Sequence, residues 1–297
     1  MSSISRFPKK VKLLLELQFP LIEKLLPRKG FIGGRIGYDK GLIFKWLLVK
    51  KVTNWSYRTL TELSGVSHQT FVRRNQQFLV AQVYQRFFQD LVKKAVKVGF
   101  IHGIKVALDS SFVPTYSSKQ EMGSEGWNGF KKNFGFKLHA LIDTETRFPI
   151  ALIITNGLAA DGMLAIPLLK KAKRYLKKHG YVLADKGYDD TDIVNWIVKM
   201  LHSKAGIPMK KKSRLSKGKK NRYGNLLNWR MKAAGRTFKK SIYKFRTEVE
   251  RFFGHLKHTY FLGKEYCRGI EAFTKNTYLA CISYCLTKLY GVGMRRF

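Results

Sequence analysis

Acidic residues are scarce in this chain: 19 Asp and Glu stand against 57 Lys and Arg among 297 residues, for a formal net charge of +38. A chain this basic repels itself unless a polyanion neutralises it, which makes nucleic acid the expected partner, an anionic membrane surface being the alternative. Cysteine is scarce too. Cys267, Cys281 and Cys285 contain no CxxC pair and make no disulfide framework, so a reducing cytoplasm is the expected setting. Cys281 and Cys285 stand i,i+4 in an apolar run and read as buried structural thiols. No apolar run is long and clean enough to span a bilayer, and the opening Met1 to Lys10 lacks the layout of a signal peptide. No internal repeat is present. Apolar residues, in contrast, are plentiful at 45%, with 13% aromatics, enough for a genuine core in one large domain or two ordinary ones.

The first hundred residues read as helical. Leu13 to Leu26 is an apolar-rich segment interrupted by Pro20, and Gly41 to Val52 is another. Residues 56–78 hold a helix, a turn at Gly65, Ser67 as N-cap and a second helix, a helix-turn-helix-like pattern. Gln69, Arg73 and Arg74 near the start of the second helix can reach base edges and phosphates, the alternative being a helical hairpin that only packs. The texture changes near Gly99, which divides the chain into a helical N-terminal DNA-binding domain, 1–98, and a second domain, 99–297. Lys105–Asp109, Gly135–Asp143 and Pro149–Thr155 read as three strands. A helix over Gly162–Lys178, a short strand from Tyr181 and a helix around Asp192–Met200 follow. That order indicates an α/β sheet with helices on its faces. From Ile193 through Thr247 no acid occurs. Within a basic insertion of about 204–240, Lys210, Lys211, Lys212 and Arg214 open a run dense enough to clamp a phosphate backbone.

Near the end, Tyr243, Arg246, Glu250 and Lys257 follow the pattern Y-x2-R-x3-E-x6-K. At about 100° per helical residue, these offsets place all four within an arc of roughly 60°. Ordinary ion pairs on a solvated helix would look the same. A carboxylate flanked by cations also suits a group that holds a metal while its neighbours grip phosphates. Asp109 and Asp185 each end an apolar strand, and in open α/β sheets the carboxyl ends of strands form the ligand crevice. With those strands adjacent, the two aspartates stand side by side and a helix on that edge adds Glu250. Three close carboxylates repel unless cations neutralise them, and hard oxygen donors suit two Mg²⁺ ions, or Mn²⁺, about 3.5–4 Å apart.

The segments around Asp109, Asp185-Lys-Gly-Tyr188 and the Tyr243–Lys257 signature resemble, in order, the DDE transposases of bacterial and archaeal insertion sequences, most closely the group numbered four and five. The resemblance runs from about residue 100 to 290, and residues 25–78 resemble that group's N-terminal domain. It implies an RNase H-like mixed sheet flanked by helices, a two-metal site and cut-and-paste transposition. Asp109, Asp185 and Glu250 would be the metal-binding triad, and Tyr243, Arg246 and Lys257 would hold DNA phosphates. The expected partners are double-stranded element ends and target DNA, with a homodimer or larger synaptic complex and no membrane. The expected setting is the cytoplasm, in association with the nucleoid. The long β-rich insertion of some relatives is missing; only the basic segment is available, with Trp229 read as a packing residue before a base-stacking one. Two rivals remain: a nuclease that cuts without joining, and a DNA-binding regulator or catalytically inactive remnant. Among the other acids, Glu248 lies about 200° from Glu250 on the helix. Asp189 and Asp190 read as helix caps, and Asp161 as a cap before a group supporting the metal-binding acids from behind. Asp143 and Glu145 flank a turn, and His139 reads as a structural histidine.

Overall fold

The computed structural model describes residues 8–17, 38–115, 126–208, 239–264 and 268–293. The chain divides into two compact units, one comprising Met1–Ala95, Thr115–Met122 and His255–Phe297, the other Val96–Pro114 and Gly123–Gly254.

In the helical unit, α1 (Lys9–Glu16), α2 (Lys40–Thr53), α3 (Tyr57–Ser64), α4 (His68–Val80) and α5 (Val83–Lys97) are joined by α10 (Gly269–Gly293). The sequence boundary placed α10 with the second domain. Its buried run Leu279–Leu286 instead packs on α1, α2 and α4, because an apolar face is buried by whichever surface complements it, whatever its place in the chain. Phe44 gathers Phe78, Tyr84 and Phe87 within ring-centroid distances of 5.2–5.9 Å, and Phe88 meets Tyr278 at 6.2 Å. Cys281 and Cys285 are fully buried free thiols, and burial raises the pKa of both, which keeps them in the unreactive thiol form.

In the sheet unit, β1 (Lys105–Pro114), β3 (Asn133–Asp143) and β4 (Pro149–Asn156) form an antiparallel meander. β5 (Tyr181–Leu183) and β6 (Lys204–Gly206) then add parallel to β1's free side. A short β2 (Gly126–Asn128) pairs with the start of β3. The strand order is therefore β4-β3-β1-β5-β6, with α6 (Asp161–Ala172) and α7 (Thr191–Leu201) in the crossovers. This is the RNase H-like arrangement. Lys204–Gly206 was placed by its charge at the start of the basic insertion. It is the last strand of the sheet because Ala205, Gly206 and Ile207 are buried, and only Lys204 faces out over the Tyr181 ring. α8 (Lys240–Tyr243), a 3₁₀ turn (Lys244–Arg246) and α9 (Thr247–His258) then follow. Among the described residues no helix is long and apolar enough to cross a membrane.

Candidate active site

Asp109 does not end a strand; it sits in the middle of β1, opposite Ala140 of β3. The other edge of β1 is paired only as far as Ala107↔Leu183, where β5 stops. Carried two residues further, the same register brings Asp185 level with Asp109. Asp109 is thus an edge residue although its strand continues, which corrects the reading that it ends the strand. Asp185 caps the 3₁₀ turn Lys186–Tyr188, its Oδ1 accepting from the Gly187 amide at 2.6 Å. Behind it Ala184 and Tyr188 are buried, so the loop is anchored by its own side chains.

Glu250 enters from the first turn of α9, where a carboxylate complements the exposed amides and the helix dipole. The Y-x2-R-x3-E-x6-K segment is not one uninterrupted α-helix. Tyr243 and Arg246 precede α9, in α8 and the 3₁₀ turn, while Glu250 and Lys257 share a face of α9 two turns apart. The tighter winding of the turn aims Arg246 inward. Its Nη1 donates to Asp109 Oδ2 at 3.3 Å and its Nη2 to Glu250 Oε1 at 2.5 Å. One guanidinium therefore joins acids 141 residues apart in sequence, and its side chain is only 16% exposed. The Tyr243 ring lies 5.8 Å from the Arg246 guanidinium carbon. Burial raises that phenol's pKa, Arg246 opposes the rise, and Asp185 and Asp109 add to it.

Asp109 is pushed up to about 6, chiefly by burial. The Ser110 amide, which its Oδ1 accepts at 2.8 Å, and Arg246 hold it down, while Asp185 and Glu250 push it up. Asp109 thus feels both other acids, and Arg246 offsets Asp109 and Glu250. Among the described residues no three His, Cys, Asp or Glu side chains stand close enough to share one metal ion. The donor chemistry nevertheless fits hard divalent cations: carboxylate oxygens on three separate elements, two of them joined through the Arg246 guanidinium.

The neighbouring acids sort cleanly. Glu248 is buried on the opposite side of α9 and pairs with Arg147 from the β3–β4 turn and with Arg251, fixing the roll of the helix that carries Glu250. Arg147 had no sequence signal, since its partner lies 101 residues away. Asp190 caps α7, accepting from Asp192 and Ile193 amides. Asp161 is not a cap: the N-cap of α6 is Ala160 with no side-chain bond, and Asp161 accepts from Lys137 Nζ at 3.0 Å. His139, 1% exposed, shares a hydrogen bond with Thr155 Oγ1 at 2.9 Å, and its Nδ1 lies 3.8 Å from Asp161.

Burial lowers His139 to about 4, with Asp161 opposing and Lys137 assisting. Because the folded value lies below the unfolded one, near 6.5, the unfolded chain takes up the proton first and stability falls with pH between about 6.5 and 4. At pH 5 the loss should be about 2 kcal/mol relative to pH 7.5. Urea unfolding of wild type and His139→Gln at both pH values checks this; an equal pH dependence in the two proteins would refute it.

In the helical unit, Gly65 supplies the left-handed turn (φ 71°) between α3 and α4, and Ser67 Oγ caps α4 by accepting from the Thr70 amide. Gln69 and Arg73 are exposed on one face of α4. Arg74 is half-buried, donating to Gln77 Oε1 at 2.7 Å. On the inward face, Asn75 is held between the Tyr57 and Tyr84 hydroxyls at 3.1 and 2.5 Å, which fixes the rotation of α4. Lys210, Lys211, Lys212, Arg214, Trp229 and Cys267 lie outside the described residues.

The family model for the transposase DDE domain matches residues 103–286. No curated protein matches the chain. Among solved structures, the piggyBac transposase synaptic complex with hairpin DNA aligns at 12% identity over 96% of this chain and 75% of that one, with a TM-score of 0.49. The Mos1 transposase paired-end complex with the left transposon end aligns at 12% identity over 76% and 80%, TM-score 0.26. The Mos1 mariner paired-end complex with Mn aligns at 12% over 88% and 82%, TM-score 0.25.

Proposed function

This chain belongs to the transposases with a DDE domain, and from that premise we propose that it binds the inverted-repeat ends of its own mobile element, cuts the DNA there and joins the freed 3′ ends to target DNA. The observation that supports the proposal is Arg246, which bridges Asp109 on β1 and Glu250 on α9, with Asp185 in the loop that follows β5, the strand beside β1.

In each step an oxygen, from water or from a DNA 3′-hydroxyl, attacks phosphorus in line and displaces another oxygen. Asp109, Asp185 and Glu250 would hold two Mg²⁺ ions, with Mn²⁺ able to replace them. These would lower the pKa of the attacking oxygen and stabilise charge on the leaving one. The chain's own residues position the substrate. Asp109 and Asp185 are held by backbone amides of Ser110 and Gly187, which directs their remaining lone pairs outward. Arg246 now spans Asp109 and Glu250; with those carboxylates engaged by divalent cations, its fork would be free to grip a phosphate bidentately. Tyr243 and Lys257 would hold neighbouring phosphates, and the basic residues Lys210, Lys211, Lys212 and Arg214 would add backbone contacts. Gln69, Arg73 and Arg74 on α4 are the proposed readers of the element end. Two ends must be handled together, so a dimer or larger synaptic complex acting on nucleoid DNA in the cytoplasm completes the reading.

Labelled duplexes carrying the sequences that flank the gene should be cut and joined to target DNA in Mg²⁺ and remain intact in EDTA. Cutting without joining would make the protein a nuclease. Tight binding with no cutting in Mg²⁺ or Mn²⁺ would overturn the proposal in favour of a DNA-binding regulator.

A further inference from the structure

The turn between β2 and β3 displays its most apolar residue to solvent. Asn128 pairs with Asn133, and the four residues between them, Gly129 to Lys132, form the tip. Phe130 there is 88% exposed, the highest value among the exposed large apolar side chains of the described residues. Isolated exposed apolar residues are ordinary, but this one is held on a built support. Asn128 Oδ1 accepts from the Lys131 amide at 2.9 Å, and its Nδ2 donates to the Gly157 carbonyl at 3.2 Å, so one side chain both closes the turn and ties it to the β4–α6 loop. A Cβ on Gly157 would lie 2.5 Å from the Gly126 carbonyl oxygen and 2.8 Å from that of Gly135, so the base of the hairpin tolerates no side chain there. Trp127, 44% exposed, packs edge-on against Phe134 at 5.0 Å along the hairpin's flank.

The tip is also basic. Lys131 and Lys132 adjoin Phe130, and no acid occurs from Gly126 through Ile142. An exposed aromatic followed by two lysines on a stiff turn is the combination that meets stacked bases with a π-face and phosphates with cations. Its placement agrees. β5 runs parallel to β1 and ends opposite Ala107, two residues before Asp109, and the hairpin projects beyond the same end of the sheet, where Gly135 pairs with Pro114. Eight residues of β3 separate Ala140, opposite Asp109, from Lys132. At about 3.3 Å per residue the tip stands at most roughly 26 Å along the strand from the acids. That is about eight base pairs of duplex at about 3.4 Å per step.

We propose that the β2–β3 hairpin is a second DNA contact of the catalytic unit, in which Phe130 stacks on or between bases about eight pairs from the cleaved phosphate while Lys131 and Lys132 hold the adjoining backbone. The inference rests on the transposase reading and adds a site to it. Because Phe130 faces solvent, its replacement leaves the core intact.

The test uses the full chain and duplexes carrying one element end, in which 2-aminopurine replaces single bases in turn, together with sedimentation of the protein without DNA. Wild type should brighten 2-aminopurine at one or two positions about six to ten pairs from the cut. Phe130→Ala should abolish that signal and weaken binding about tenfold, the loss of one base–aromatic stack. Phe130→Trp should retain both. Converting Lys131 and Lys132 to Ala should reduce the slope of log affinity against log salt by about two. If wild type and Phe130→Ala bind alike with the same fluorescence profile while wild type cuts the DNA, the hairpin proposal fails and the transposase reading stands. If Phe130→Ala instead changes only sedimentation, the tip contacts a second copy of the chain and the proposal also fails. A wild type that binds no end-bearing duplex overturns both.

Discussion

Glu250→Gln and Asp109→Asn are each expected to lower DNA cleavage and joining by at least about 10³-fold, roughly 4 kcal/mol of transition-state stabilisation, with DNA binding changed by less than about threefold. Both replacements keep shape and remove charge. Glu250 is 53% exposed and its partner, Arg246, retains Asp109, so the fold has little to lose at that position. The chemical step loses a hard anionic donor that an amide does not replace. Single-turnover cleavage of a labelled end-bearing duplex in Mg²⁺, alongside binding in EDTA, separates the two effects. A Glu250→Gln protein that cuts at a tenth of the wild-type rate or faster would remove this residue from the site. Glu248→Gln is the matched control two residues away. Its carboxylate faces Arg147 and Arg251, so the expected cost falls on stability before rate.

The second large effect concerns a residue with no part in the chemistry. Asp143→Ala should destabilise the sheet unit by about 3–5 kcal/mol, since it strips several buried donors of their acceptor at once. The Asp143 carboxylate is fully buried. It accepts from the amides of His102, Gly103, Glu145 and Thr146 and from the Thr146 hydroxyl, at 2.9–3.2 Å. It thereby joins the entry to β1 with the β3–β4 turn, and Arg147, the anchor of Glu248, follows in that turn. Asn keeps one acceptor oxygen, so Asp143→Asn should lose about half as much. Denaturant unfolding, with amide exchange at the four named donors, measures the loss and its location. A change below about 1 kcal/mol would show that water replaces the carboxylate without penalty.

The strands and helices that build the sheet unit were legible because their signals are local. Pro149–Thr155 differs from the observed Pro149–Asn156 by one residue, and the helix placed at Asp192–Met200 runs from Thr191 to Leu201. Signals that depend on a distant partner were not legible. β2 and β6 are three residues each, too short to show a period, and Lys204 concealed β6 inside a run of positive charge. A straight-helix reading of the Y-x2-R-x3-E-x6-K segment could not anticipate the 3₁₀ turn that directs Arg246 between two carboxylates.

The amino-acid sequence by itself determined the charge, the α/β alternation, the capped turn at Gly65–Ser67 and the residue types able to hold divalent cations and phosphate, since composition, periodicity and capping are properties of neighbouring residues. Tertiary structure alone decided that α10 closes the helical unit, that β5 stops opposite Ala107, two residues before Asp109, and that Arg246 offsets two acids 141 residues apart. These follow from strand register and from which apolar face finds a complementary surface, and neither is encoded in any one segment.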